Sequence, residues 1–395
     1  MNRRLWFDWH SWAGLKLSLF MAFILGTGTL AVLAHEIDWL LHAEMRVAPR
    51  DAPTASWGAW AEAVQRAHPD ASLIRLDAPI DPWFAVRGTL RMSDGTPRYV
   101  WIEPWQARVL GDTSFVNVHR ILRNTHRHLM LPVQIGVPIV CSLALLLAVS
   151  LVTSLVVYKR WWRGFLQRPR GEHARRWWGD WHRLLGVWSM WFVLLMVLTG
   201  VWYAVEQVGG AAPAAERFGK LNQPPEDQAQ PDYDAAAIDA AIRTGVAAFP
   251  GFVLQAISLP QAATDPVLLE GQASALLVRQ RANVVAVEVG SGRVLGLARG
   301  EQLSLHQRIA EAADPLHFGT WGGLPSKLVW FVFGAALTAL SLTGAWLYVL
   351  RIRAALRGAM TPAWPLFWQG MGRWRWVSLG LIAVSLLLTP KLFAF

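Results

Sequence analysis

WFDWHSWAGL, residues 6–15, and WGDWHRLLGV, residues 178–187, decide how this chain is read. Aligned, they match His10 with His182 and Gly14 with Gly186, and the same offset carries on to Thr27-Gly28 and Thr199-Gly200. Farther along, VWIEPWQARVLG (100–111) matches VAVEVGSGRVLG (285–296), and Pro69 and Pro79 match Pro250 and Pro260. Offsets that stay constant within blocks are the mark of an internal duplication. Each copy runs as a helix in, a polar segment, and a helix out. Both copies run in the same direction, which predicts a parallel repeat with a pseudo-two-fold axis along a membrane normal.

The membrane follows from composition. Of 395 residues 54% are hydrophobic and only 16% charged, and mean hydropathy is +0.29. Five apolar runs, about 11–34, 130–158, 183–205, 325–350 and 376–393, approach or exceed the ~18 residues that a bilayer span needs. The first run is too long for a secretory h-region and no A-x-A site follows it, so it is expected to be an uncleaved helix. The 24 Trp suit membrane–water interfaces. The single Cys141 excludes an internal disulfide, a Cys-rich zinc site and an iron–sulfur cluster, and no CxxCH attaches a c-type haem. The segment 159–181 holds seven Lys/Arg against Glu172 and Asp180, and 351–375 holds five Arg and no acid. Residues 36–128 balance eleven Arg with eleven acids, and 206–323 carry eight basic and thirteen acidic residues. By the positive-inside rule the N-terminus and both basic loops are cytoplasmic, and the long segments lie outside. The net charge of +10 is then a topology signal, and no nucleic-acid partner is expected.

The predicted organisation is an α-helical membrane protein: a parallel duplicated helix-pair bundle, one extra C-terminal helix, and two small external α+β modules. Its parts are helix 1 (1–35), module 1 (36–128), helix 2 (129–158), a basic loop (159–181), helix 3 (182–205), module 2 (206–323), helix 4 (324–350), a second basic loop (351–375) and helix 5 (376–395). Module 1 shows helical spacing over 56–68 and alternation over 72–78, 83–92, 97–103 and 107–110, with turns at Ser93-Asp94-Gly95 and Pro104. Module 2 repeats the order, with a helix at 233–248, strands over 252–297 and a Ser-Gly turn at 291–292. The Ala/Pro/Gln-rich stretch 209–231 reads as a linker.

Eleven histidines carry the chemical signal. His10 and His182 open spans one and three on the cytoplasmic side; His126 and His317 precede spans two and four on the outer side. His119 and His306 form a further matched pair and are alternative outer ligands. His35, His42 and His128 have no mate. A b-type haem with two axial ligands takes one imidazole on each face, and equivalent histidines facing each other across a two-fold axis supply both. His10 with His182 is thus expected to hold one haem, and His126 with His317 a second. Of His126 and His128 only one can point inward, because residues two apart on a helix face different ways. HEIDWLLH (35–42) has the wrong spacing for a zincin. Lys16 reads as an interfacial anchor. Arg123, Arg127, Arg175 and Arg176 are candidate propionate partners, although arginine near a membrane surface is ordinary. The Thr-Gly pairs at 27–28, 199–200 and 343–344 offer close approach to a helix or a flat macrocycle. Trp83, Trp101 and Trp105 are candidates for an outer ligand site or for module core.

The W-H-x-x-x-G helix starts, the Thr-Gly pairs, the LHFGTWGGLP segment and the two modules together resemble the PepSY-associated transmembrane family, over nearly the whole chain. Within it the chain looks most like the inner-membrane ferric-siderophore reductases. That resemblance implies periplasmic PepSY domains, a bacterial inner-membrane location, two b-type haems on His10, His182, His126 and His317, and an oxidoreductase that passes electrons to a ferric siderophore. Fe³⁺ is the harder ion for charged oxygen chelators, so one electron loosens the metal. No Rossmann or other nucleotide loop is present, so electrons must come from a cytoplasmic partner or a quinol. The competing readings are a haem electron carrier with another acceptor, a haem-free PepSY binding or regulatory protein, and a transporter of iron or its chelate.

Overall fold

The computed structural model describes residues 2–171, 173–213, 234–262, 265–356 and 362–393. The chain forms two compact units. One takes the residues up to Ala34, Val118–Ala211 and the chain from Leu316 onward; the other takes His35–Asn117 and Ala212–Pro315. From residue 214 on, the expected linker 209–231 lies outside the described residues.

In chain order the elements are α1 (Arg3–Lys16), α2 (Ser18–Val32), α3 (Ala34–Leu41), α4 (Trp57–Ala67), β1 (Ser72–Asp77), β2 (Val86–Arg91), β3 (Pro97–Glu103), β4 (Arg108–Ser114), α5 (Val118–His128), α6 (Val133–Val157), α7 (Ala174–Trp188) and α8 (Met190–Val205). There follow α9 (Ala235–Ala248), β5 (Val253–Ser258), β6 (Val267–Gln272), β7 (Val284–Val287), β8 (Val294–Ala298), α10 (Leu305–Phe318), α11 (Gly323–Ala355), α12 (Ala363–Met371) and α13 (Trp374–Leu388).

Among the described residues four helices are long and apolar enough to cross a membrane: Val133–Val157, Met190–Gly210, Thr320–Ala355 and Trp374–Phe393. The protein is a multi-pass membrane protein whose solvent is the bilayer. Two expected spans differ in detail. The first is not one helix over 11–34 but the pair α1–α2, bent by 67° at Leu17. The third does not begin near His182: α7 ends at Trp188, and Ser189, with φ −89° and ψ 0°, separates it from α8. Hydropathy reports apolar length, not axis direction, so neither break was visible in it. Both breaks fall seven residues after a histidine, His10 and His182.

The sheet unit is a single antiparallel sheet in the order β4-β3-β2-β1-β5-β6-β7-β8. Two four-strand meanders meet at the β1–β5 seam, where Arg75, Leu76 and Asp77 pair with Ser258, Ile257 and Ala256. The sequence predicted separate modules; the seam merges their sheets. Each meander follows a capped helix. The Ser56 side chain accepts from the Ala59 N–H at the start of α4, and Asp234 accepts from the Ala236 N–H at the start of α9. Inward-facing residues of all four central strands, including Leu73, Leu76, Val86, Ile257 and Leu269, join Trp60 and Ile238 from the helices in one continuous core. The seam also carries an ionic ladder. Arg75 reaches Asp77 at 2.9 Å and Glu270 at 2.7 Å, and Arg87 reaches Asp77 at 3.0 Å. Burial opposes ionisation of Asp77, but Arg87 and Arg75 outweigh it and hold its carboxyl below the ordinary value. Trp101 belongs to the core beside Met45, Phe84 and Tyr99, with Trp83 packed against that cluster, and its indole N–H donates to Thr113 Oγ1 at 2.9 Å. Trp105 donates to the Ala52 carbonyl at 3.1 Å.

Candidate functional site

The helical unit brings two pairs of histidines face to face. The rings of His10, on α1, and His182, on α7, have centroids 6.4 Å apart. Those of His126, on α5, and His317, on α10, are 6.1 Å apart. Two imidazoles bound through Nε2 to opposite faces of one iron stand about 6.3 Å apart, from two bonds of about 2 Å and about 1.1 Å from each nitrogen to its ring centre. Both pairs match that separation.

Hydrogen bonds decide which nitrogen is available. His182 Nδ1 lies 2.9 Å from Thr343 Oγ1, and that hydroxyl donates to the Ala339 carbonyl at 2.7 Å. With its hydrogen engaged, the threonine oxygen accepts from Nδ1–H. His317 repeats the arrangement with Thr199 Oγ1 at 2.8 Å, a hydroxyl that donates to the Leu195 carbonyl at 2.9 Å. His10 Nδ1 donates to the Ser150 carbonyl at 3.2 Å and to Thr153 Oγ1 at 3.1 Å. His126 Nδ1 donates to the Ile24 carbonyl at 2.8 Å. All four rings therefore carry the proton on Nδ1, the outer-shell pattern of ligating imidazoles, and in His10, His126 and His182 this leaves the Nε2 lone pair for a metal.

The glycines have specific tasks. A β-carbon at Gly28 would sit 2.5 Å from the His126 ring, so only glycine admits that imidazole against α2. Gly319, at φ 68°, ends α10 two residues after His317; a β-carbon there would lie 2.5 Å from Trp330. Trp330 in turn donates to the Leu316 carbonyl at 2.8 Å. This accounts for the HFG of the LHFGTWGGLP segment.

The His10–His182 pair lines a cavity of about 520 Å³ between α1, α2, α6, α7, α8 and α11, within the usual size range of cofactor sites. Apolar side chains such as Leu147, Val193 and Leu337 form its depth, and Arg3, Arg175, Arg183 and Arg351 also line it. Arg175 was a candidate from sequence; the other three were not. Thr153, Thr199 and Thr343 were also missed as ring partners, Thr153 entirely. One signal was there: Thr153 and Thr343, like Tyr158 and Tyr348, stand 190 residues apart.

Of the alternatives, His119 lies on the first turn of α5, seven residues and about 10 Å along the axis from His126. His306 is an exposed residue at the start of α10. His128 Nδ1 donates to the Leu131 carbonyl at 2.7 Å. His35 is on α3 and His42 precedes the short turn Ala43–Met45. Lys16 donates to the Gly370 carbonyl at 2.7 Å and so ties α1 to α12. Among the described residues no three His, Cys, Asp or Glu side chains gather as a metal cluster.

The family model for the PepSY-associated TM region matches residues 7–351. The chain belongs to the PepSY-associated transmembrane family. A search of curated proteins finds no match. The family region contains all four paired histidines and their three threonine partners, and it stops before α12 and α13.

Proposed function

We propose that the chain is a di-haem oxidoreductase of a bacterial inner membrane, passing single electrons from the cytoplasmic side to a ferric siderophore in the periplasm and releasing Fe²⁺. The observation that carries this reading is the pair of imidazole separations, 6.4 and 6.1 Å, each ring hydrogen-bonded through Nδ1. His10 and His182 would hold one b-type haem, and His126 and His317 the other. When bound, such groups supply reversible one-electron chemistry between Fe³⁺ and Fe²⁺. The chain's own work is to orient: the threonine and carbonyl acceptors lock the rings, and the apolar cavity walls keep water from them. Along α11, Gly334 packs on Thr29 near the second pair and Gly344 on His182. Those ten residues span about 15 Å of helix axis, which supports two separate sites along the bundle.

The orientation is read from the charge asymmetry of the loops, which assigns the His10–His182 end to the cytoplasm. The repeats in sequence support a duplicated bundle, and the helix-then-meander order on each side of the sheet seam supports two PepSY modules on the periplasmic side. The electron donor is a cytoplasmic partner or a quinol. The balance of the outer step is one electron to one chelated Fe³⁺, with no proton or group transferred.

The test is a haemochrome assay followed by anaerobic reoxidation. Purified protein should hold about two haems per chain. After dithionite reduction a ferric hydroxamate siderophore should reoxidise it, with Fe²⁺ trapped by ferrozine, and the iron-free chelator should not. Haem present but indifferent to ferric chelates leaves an electron carrier with another acceptor; haem absent from protein made in haem-replete cells overturns the whole reading.

A further inference from the structure

Arg183 stands one residue after His182 on α7 and lines the same cavity. Its Nη1 donates to Asp180 Oδ1 at 2.8 Å, and the other oxygen of Asp180 accepts from the Arg170 N–H at 3.1 Å. That ion pair fixes the guanidinium. Its two remaining donors, Nε and Nη2, are both buried and have no hydrogen-bond partner among the described residues. They are not an arbitrary pair. Nε–H and Nη2–H run parallel along one edge of the guanidinium, the edge that takes a carboxylate side-on with two bonds. Leaving such an edge buried and unmatched is costly, and native structures rarely tolerate it. None of the residues lining the cavity is Asp or Glu. An acceptor carried by what enters the cavity would match that edge.

We infer that the Nε/Nη2 edge of Arg183 receives a carboxylate of the ligand seated between His10 and His182, namely one propionate of the haem. This rests on the haem reading above and adds a residue to it. Asp180 is the positioning residue: it holds Nη1 so that the opposite edge faces the cavity. Arg183 also explains why two histidines at a pseudo-symmetric site need not bind a macrocycle in either of two rotations. A single carboxylate anchor to one side of the iron selects one.

The experiment uses full-length protein in a His317→Ala background, loaded with either haem or its dimethyl ester, whose carboxylates are blocked. Haem transfer to apomyoglobin is timed for Arg183, Arg183→Lys and Arg183→Gln chains. With Arg183 the ester should leave about tenfold faster than the free acid, the ratio expected for one charge-assisted pair. Arg183→Gln should lose most of that ratio, any remainder being due to the other arginines of the cavity. Arg183→Lys should keep part of the preference, since it retains the charge without the fork. If Arg183→Gln discriminates as strongly as Arg183, the carboxylate sits elsewhere and the inference is overturned. If neither porphyrin binds the Arg183 chain, the haem reading itself falls and takes this inference with it.

Discussion

The two histidine pairs reach nearly the same ring separation by different constructions. His10 and His182 sit inside helices, each seven residues before a break, at Leu17 and Ser189. Their rings project from mid-helix into a cavity whose walls come from six helices, α1, α2, α6, α7, α8 and α11. His126 and His317 sit in the last turns of α5 and α10. There the geometry is set by what ends the helix: Leu129 and Met130 at φ 57° and 59°, and Gly319 at φ 68°. The first pair depends on packing between long helices, the second on a few left-handed residues and a glycine contact. The first should therefore tolerate local backbone change better than the second.

The largest expected effect comes from the ligands themselves. His10→Ala or His182→Ala should take the haem-to-protein ratio from about 2 to about 1, and His126→Ala or His317→Ala should do the same for the other site. Once the protein is reduced with dithionite, only the second set should abolish its reoxidation by an outside acceptor. If His119→Ala or His306→Ala removes the second haem instead, the second pair is misassigned.

Next comes Gly28→Ala. Its β-carbon would overlap the His126 ring, an overpacking worth about 1–3 kcal/mol. Optical spectra should show loss of the second haem with the first retained. Gly319→Ala should act at the same site, through its left-handed φ and through Trp330. Equal loss from both sites in either variant would erase the contrast drawn above.

The threonine partners should matter less, and in parallel. Thr343→Val should weaken haem retention at the first site and Thr199→Val at the second, each about tenfold. Redox titration should show only the corresponding midpoint move. Thr→Ser should restore both.

The smallest effect lies in the sheet unit. The carboxyl of Asp77 is held below its unfolded value by Arg87 and Arg75. Its stabilisation is thus complete above the unfolded value of about 3.9 and fades as pH falls through the lower folded value. Limited proteolysis of the sheet in the full-length protein should accelerate only in that acid window. Asp77→Asn should raise the rate at neutral pH and remove the dependence.

Much of the fold was legible because its signals are local. The strand at 97–103 and the turns at Ser93-Asp94-Gly95 and Ser291-Gly292 follow from alternation and from glycines that adopt positive φ, 82° and 68°. The helix at 235–248 follows from its spacing and its Asp234 cap. The breaks at Leu17 and Ser189 could not be read from hydropathy, since Lys16 and the serines interrupt these runs too briefly to end a span and neither break falls on a proline or glycine. The fusion of two meanders into one sheet rests on three paired residues of β1 and β5, separated by some 180 positions that no periodicity spans.

By itself the sequence determined that the chain crosses a bilayer several times and that histidines recur as matched pairs beside the apolar runs. Apolar length and constant spacing are properties of short stretches, readable without a partner. Which ring nitrogen carries the proton, and which arginine presents an unmatched edge, only the tertiary structure decided. The acceptors that lock the four imidazoles lie between 102 and 161 residues away along the chain. A hydrogen bond acts over a few ångströms of space, and only packing of one helix on another converts that sequence distance into contact.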